Sequence, residues 1–373
     1  MSKKEIVHYN LDNIDKEDAI INIIYGERSN GKSYQVKHKK GIIKYLETGK
    51  RFILMRRWKE EITSEKIEQY FADVDVMKLT NNKYNCITMY RKQLYLSNYD
   101  IETGKTNKGE KIGYVVALST EQNYAGASYL DVEDIIFEEF MSRSGTGEGT
   151  YLSNESDKLM NFRSTVDRKR NVVKLWLVGN SITRVCPYLY DWDLLKIITH
   201  QKQGTIESVF LDTGDFDIET GESIKLKCSI EYCKSTGVSS YAIGKHKSML
   251  NTGSWQSDPQ PHLPKSYKLY KKLYRIMFYY KSFKFIGEYL IDNETHDTCW
   301  FIYPYDDIIK DNILVFSDVI KTSRFWQRDI YNPSIHNDVI KNLLSTFREN
   351  KIFYASDLCG TDFKQSIDFD IRK

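Results

Sequence analysis

Gly26-Glu27-Arg28-Ser29-Asn30-Gly31-Lys32-Ser33 fits the pattern G-x-x-x-x-G-K-[ST] at every fixed position. Its surroundings give the match physical meaning. The apolar run Ile21-Asn22-Ile23-Ile24-Tyr25 reads as a buried strand feeding the loop, and Lys32 to Thr48 reads as a helix closed by Gly49. Backbone N–H groups in such a loop and at such a helix start cradle phosphates. Lys32 is placed to meet the β- and γ-phosphates, and the Ser33 hydroxyl to ligate the magnesium ion that bridges them. The expected contacts of ATP are therefore Gly26, Glu27, Arg28, Ser29, Asn30, Gly31, Lys32, Ser33 and the adjoining Tyr34, with Mg2+ on Ser33.

The rest of the composition bounds the setting. The chain has 373 residues, enough for two domains and a substantial core, and it is 41% hydrophobic and 28% charged, as globular chains are. No apolar run approaches the roughly 20 residues that span a bilayer, and Met1-Ser2-Lys3-Lys4-Glu5 lacks the apolar centre of a signal peptide, so a cytosolic protein without membrane contact is expected. The six cysteines are scattered, which suits reduced thiols; Cys228 and Cys233 with His246 offer only half of a metal site. A net charge of +3 leaves any contact with DNA or RNA to local patches.

Strands and helices alternate from Ile21 to about Tyr190, the pattern of a parallel sheet covered on both faces. Candidate strands are Ile21–Tyr25, Phe52–Met55, Tyr114–Leu118, Asp134–Phe137 and Val172–Val178. The polar stretch Tyr84–Leu96 and the residues up to Lys105 read as a hairpin inserted at a sheet edge, outside the core. Ser142–Thr150 is rich in glycine and reads as a loop. β-Hairpin signals follow Gln201, linker residues concentrate at Asn251–Pro261, and three strands (Arg275–Tyr280, Lys284–Ile291, Thr298–Tyr303) precede an amphipathic helix at Asn337–Glu349. These signals divide the chain into an α/β P-loop domain over 1–235, a linker over 236–263 and a smaller α+β domain over 264–373.

Asp134-Ile135-Ile136-Phe137-Glu138-Glu139-Phe140 is an apolar strand that ends in two carboxylates. In P-loop hydrolases one acid there faces the magnesium water shell and a second polarises the attacking water. Glu138 takes the first role and Glu139 the second, although Glu138 is one methylene longer than the usual Asp. The pair lies about 107 residues after Lys32, room for an intervening strand. That spacing favours the additional-strand, catalytic-glutamate class of P-loop NTPase over small-molecule kinases. At the end of the fifth strand Asn180 either senses the γ-phosphate or caps the strand. In Asp167-Arg168-Lys169-Arg170-Asn171, Arg168 first and Arg170 second are candidates to reach a neighbouring subunit's γ-phosphate, an effect worth about 10³–10⁵-fold in rate in other NTPases. Lys265–Arg275 interleaves basic and aromatic residues, Lys265 and Lys268 among them, which suits either nucleic-acid contact or a solvated face.

Four blocks together carry a resemblance: Gly26–Ser33, Phe52-Ile53-Leu54-Met55-Arg56-Arg57-Trp58-Lys59, Ile135–Phe140, and Thr165–Arg170 running into Gly179-Asn180-Ser181. Over about the first 190 residues their order and spacing resemble the DNA encapsidation proteins, or genome-packaging ATPases, of Picovirinae-type small podophages. The resemblance implies a homo-oligomeric ring, pentameric in that family, docked in the host cytoplasm on the portal vertex of a prohead and absent from the mature virion. There it would couple ATP hydrolysis to pumping double-stranded DNA, with a structural RNA as a further possible partner. It also implies Arg28 as a coupling arginine, Arg56 and Lys59 near the nucleotide at subunit contacts, Arg168 as a trans-acting finger, and Arg143 on the DNA channel. For the C-terminal domain it implies a vestigial RNase H-like nuclease fold. Arg275–Tyr280 offers none of the carboxylates that a two-metal nuclease needs. The rival readings are a helicase or partition-type ATPase, and a nucleotide-regulated scaffold.

Overall fold

The computed structural model describes residues 9–124, 126–142, 151–216, 220–236, 254–255, 257–308, 313–319, 325–327 and 337–367. It divides into two units, one of Met1–Ile182, His200–Tyr241 and Met249–Ser254, the other of Thr183–Thr199, Ala242–Ser248 and Trp255–Lys373.

In the first unit nine strands among the described residues make one sheet: β1 (Ile21–Gly26), β2 (Arg51–Arg56), β3 (Cys86–Tyr90), β4 (Gln93–Asp100), β5 (Lys105–Ala117), β6 (Val132–Glu138), β7 (Lys174–Asn180), β8 (Thr205–Phe216) and β9 (Ser223–Tyr232). Their order is β3-β4-β5-β2-β6-β7-β1-β9-β8. The run from β5 to β9 is parallel throughout. β7 thus separates the phosphate-loop strand β1 from the acid strand β6, the placement expected of the additional-strand class. All six residues of β1 are buried, as in a strand covered on both faces.

The helix after the loop, α1, runs from α-helical Lys32–Val36 through π-helical Lys37–Ile43 to α-helical Lys44–Thr48. Gly41 in its π turn lies against the Phe52 ring, where a Cβ would come within 3.2 Å. The helix ends at Gly49 in the left-handed conformation (φ 73°), as its position predicts.

Three expectations need correction. The β3–β4 hairpin does sit at a sheet edge, but it is not outside the core: alternate residues Ile87, Leu94 and Leu96 are buried in the same apolar cluster as Ile24 and Phe52. β7 starts at Lys174 rather than Val172, because the Asp167 carboxylate accepts the N–H groups of Asn171, Val172 and Val173 at 2.8–2.9 Å. Within the expected linker, Asp258 to His262 is bound to the second unit. Asp258 N donates to Thr361 Oγ1, Gln260 N to Asp357 Oδ1 and Tyr354 N to Pro261 O. Thr183–Thr199 also groups with that unit rather than with 1–235.

The second unit holds a mixed sheet of β10 (Tyr270–Tyr280), β11 (Phe283–Asp292), β12 (Thr298–Pro304), β13 (Leu314–Ser317), β14 (Trp326–Gln327) and β15 (Ile352–Tyr354), in the order β14-β13-β10-β11-β12-β15. β10, β11 and β12 are antiparallel, whereas β13, β14 and β15 join in parallel. A helix at Asp357–Ile367 drives Phe363 edge-on against Phe278 and Phe285, at 5.0 and 5.3 Å between ring centroids. Another spans Asn337–Arg348, matching the amphipathic pattern.

Candidate functional site

The C-terminal ends of β1, β6 and β7 open on one cavity of about 570 Å3, the place where open parallel sheets bind ligands. Its lining brings together Arg28, Ser29, Asn30, Gly31, Lys32, Ser33, Tyr34, Glu138, Glu139 and Asn180. Most of the residues expected at the nucleotide site therefore meet in space. Gly26 and Glu27 lie behind that wall. Gly26 backs onto Cys233, where a Cβ would come within 3.0 Å, and the buried Glu27 carboxylate accepts from Ser235 Oγ at 2.7 Å and Thr236 N at 2.6 Å. Gly31 takes φ 95° directly before α1, a turn that a residue with a side chain resists.

Lys32 is buried at 4% exposure, and among the described residues its ammonium forms no ion pair. Its partners are neutral oxygens: Glu27 O, Asn30 Oδ1 at 3.1 Å and Asn180 Oδ1 at 3.5 Å. Burial pulls its pKa down, while the carboxylates of Glu138 and Glu27 pull the other way. A buried cation held by carbonyls alone is incompletely compensated, so an anion in the cavity is favoured. A polyphosphate fits that demand.

Glu138 closes β6, also buried. Its Oε2 accepts from Ser33 Oγ at 2.8 Å and its Oε1 from the Tyr70 hydroxyl at 2.7 Å. Burial raises its pKa and the neighbouring Glu139 adds to this, against the two hydroxyl bonds and the charge of Arg56. Ser33 Oγ and Glu138 Oε2 are hard oxygen donors on adjoining elements, a donor pair that suits Mg2+.

Glu139, by contrast, is exposed to the cavity and sits at φ 56°, left-handed for a residue with a side chain. Arg57 secures this turn. Its guanidinium donates to Glu139 O at 3.3 Å and Phe140 O at 2.6 Å, and its Nε lies 2.9–3.0 Å from both oxygens of buried Glu155. The turn aims the second acid into the space beside Lys32 and Ser33, where a base for a water molecule belongs.

Other expected residues lie elsewhere. Arg56 and Lys59 do not line the cavity; Arg56 acts on Glu138 through its charge and approaches Glu61 at 3.8 Å, and Lys59 is exposed on a short 3-10 turn. Arg168 is exposed at the C-terminus of the helix Glu155–Asp167 and donates to Ala127 O at 2.9 Å. Arg170 does not suit the finger role given to it as second candidate. Its donors are spent on Leu130, Val132, Val166 and Asp167 carbonyls at 2.7–3.0 Å, stapling that turn to the start of β6. Lys265 is no free cation either, because Asp292 and Glu294 hold it at 3.0 and 2.8 Å. Lys268 is exposed, and Arg143 lies outside the described residues.

Four contributors escape a reading by motif: Tyr70, Asp73, Lys37 and Arg57. Tyr70 closes on Glu138 from the helix Ser64–Phe71; Asp73 lines the cavity and pairs with buried Lys37. The one legible signal was Arg57 itself, a second arginine at the end of β2, but not its partner.

A family model described as Podovirus DNA encapsidation protein (Gp16) matches residues 2–221. The chain is 28% identical over 187 residues to the DNA packaging protein of Bacillus phage phi29, which is 50% of each chain, and 30% identical over 182 residues to that of Bacillus phage B103, which is 48% of this chain and 50% of the other. It spans about half the length of the curated relatives it matches. A solved structure titled as the bacteriophage Phi-29 viral genome packaging motor assembly aligns over 97% of this chain and 99% of its own, with TM-score 0.57 and 20% identity, a likeness of fold.

Proposed function

The chain belongs to the podovirus DNA encapsidation protein (Gp16) family, and from that premise we propose that it is an ATP-hydrolysing motor that moves double-stranded DNA into a viral prohead. One observation carries the reading: a buried Lys32 ammonium with only neutral partners faces Ser33 and Glu138 across a cavity that Glu139 also enters. Loop N–H groups and Lys32 would bind the phosphates, and Ser33 with Glu138 would hold a magnesium ion. Such an ion would supply neutralisation of the phosphates' charge. Glu139 orients a water molecule and accepts its proton on the carboxylate. Asn180, hydrogen-bonded to the Lys32 ammonium, is placed to report whether a γ-phosphate is present.

The working unit in this reading is a homo-oligomeric ring, a pentamer as in the family, at the prohead portal in the infected cell. Arg168 serves as the finger that reaches a neighbour's nucleotide; its exposure supports that role. The second unit is a nuclease-like domain without catalysis. Its mixed sheet supports the comparison, and the buried carboxylates Glu288 and Asp292 are engaged by Tyr303, Lys272 and Lys265 rather than gathered on a metal site. Purified proheads, this protein, ATP and duplex DNA provide the test. Nuclease-protected DNA that depends on ATP is the expected outcome; ATP hydrolysis that is indifferent to duplex DNA, with no protection, would refute the motor and favour the scaffold.

A further inference from the structure

The helix Ser64–Phe71 starts at Thr63, whose hydroxyl accepts from Lys66 N, and buries Ile67 and Phe71 in the core of the first unit. Tyr70, next to the last of these, packs its ring against the same core and carries its hydroxyl to the acid that ends β6. Its hydroxyl donates to Glu138 Oε1 at 2.7 Å while Ser33 occupies Oε2 at 2.8 Å. The two oxygens of one carboxylate thus have separate holders, one on the loop helix α1 and one on a helix 68 residues away in sequence.

The ring is fixed as firmly as the hydroxyl. The Lys37 ammonium lies 4.4 Å from its centroid, the Phe71 ring meets it edge-on at 4.9 Å, and Lys37 also donates to the Tyr70 carbonyl and to Asp73. A glutamate at the metal side has one more rotatable bond than an aspartate, and hence more freedom to lose before it can hold an ion. A hydroxyl locked onto one of its oxygens removes that freedom in advance.

We propose that Tyr70 is a positioning residue for magnesium: it anchors the far oxygen of Glu138 so that the near oxygen stays beside Ser33, and thereby makes a glutamate serviceable where a shorter acid would stand unaided. The proposal rests on the reading of the cavity as a magnesium nucleotide site. Through the same contact, any displacement of the Ser64–Phe71 helix is transmitted to the metal-side acid.

The test is binding of a fluorescent ATP analogue to the full chain, first with EDTA and then over a Mg2+ titration, for wild type, Tyr70→Phe, Glu138→Asp and the double variant. For Tyr70→Phe, affinity in EDTA should match wild type and melting should fall modestly, because a buried carboxylate oxygen loses its donor, while the Mg2+ concentration for half-saturation rises up to about tenfold as the acid regains the freedom the hydroxyl removed. In the Glu138→Asp background, where the shorter side chain no longer reaches the tyrosine, adding Tyr70→Phe should change nothing. Wild-type Mg2+ dependence in Tyr70→Phe would overturn the proposal and leave the nucleotide site standing. An equal loss in both backgrounds would overturn it as well, since Tyr70 would then act through packing. Failure of wild type to bind the analogue would remove the nucleotide reading along with it.

Discussion

The buried acids of the second unit and the phosphate site of the first treat buried charge in opposite ways. In the second, Asp362 is 2% exposed and closed off by the Arg184 guanidinium, and Glu288, also 2% exposed, by the Tyr267 and Tyr303 hydroxyls and Lys272. In the first, Lys32 meets only neutral oxygens and Glu138 only hydroxyls. A buried charge without a counter-charge costs several kcal/mol. Where the fold supplies the counter-charge the group is part of the scaffold, and where it withholds one the group awaits a ligand. Arg57 and Glu155 show the scaffold solution inside the first unit too, with the Arg57 guanidinium on the Glu139 carbonyl beside the two acids.

The contrast breaks most visibly at Lys32. Lys32→Ala should bring steady-state ATP hydrolysis below about one-thousandth of wild type, because the phosphates lose their fixed cation. Melting should hold or improve, since an uncompensated charge has gone. Normal turnover would remove the central claim. Glu139→Gln keeps the shape of the side chain without the base, so nucleotide affinity should persist while turnover falls about 10²–10³-fold. If Glu138→Gln alone behaved this way, the two roles would be reversed.

On the scaffold side the readouts exchange places. Asp362→Ala strands the Arg184 guanidinium and should cost about 3–5 kcal/mol of stability by denaturant unfolding. Nucleotide affinity of the folded fraction should not change. Arg170→Ala removes a guanidinium that donates to four backbone carbonyls and should cost about 2 kcal/mol. Arg168→Ala, mixed with Lys32→Ala, should instead restore part of the hydrolysis missing from each alone. Absence of complementation in verified mixed rings would place Arg168 in the scaffold class with Arg170.

The most gradual effect concerns Glu231, which burial raises to about 7 although the Tyr9 hydroxyl bonded to it at 2.7 Å opposes the shift. The folded chain keeps this proton at pH values where the unfolded chain has released it. Stability should therefore decline as pH climbs from about 4.5 to 7, by at most about 3 kcal/mol. Glu231→Gln should flatten that decline in melts at pH 5 and pH 8. An unchanged slope would mean that the carboxylate is ionised in the folded chain.

Where sequence neighbours suffice, the reading from residues and the structure coincide. The loop Gly26–Ser33, the acid strand ending at Glu138 and Glu139 and the closure of α1 at Gly49 all follow from local pattern, since phosphate loops and strand ends are built from consecutive residues. Arg170 went astray, and Lys265 was left open between nucleic-acid contact and a solvated face, for one reason. A run of basic residues states how much charge is present and not which carbonyl or carboxylate will absorb it. Glu155 lies 98 residues from Arg57, so nothing in the spacing announces their pairing.

The sequence by itself thus determined which chemistry the chain can hold: a phosphate loop, two acids at one strand end, and the direction of the sheet that brings them together. Tertiary structure decided which charges remain free to perform it. Tyr70 on Glu138, Arg57 on Glu155 and Arg184 on Asp362 all join segments far apart in the chain. Whether a buried group is neutralised or left open depends on these meetings, because electrostatic energy in a low-dielectric interior is set by separation in space rather than along the chain.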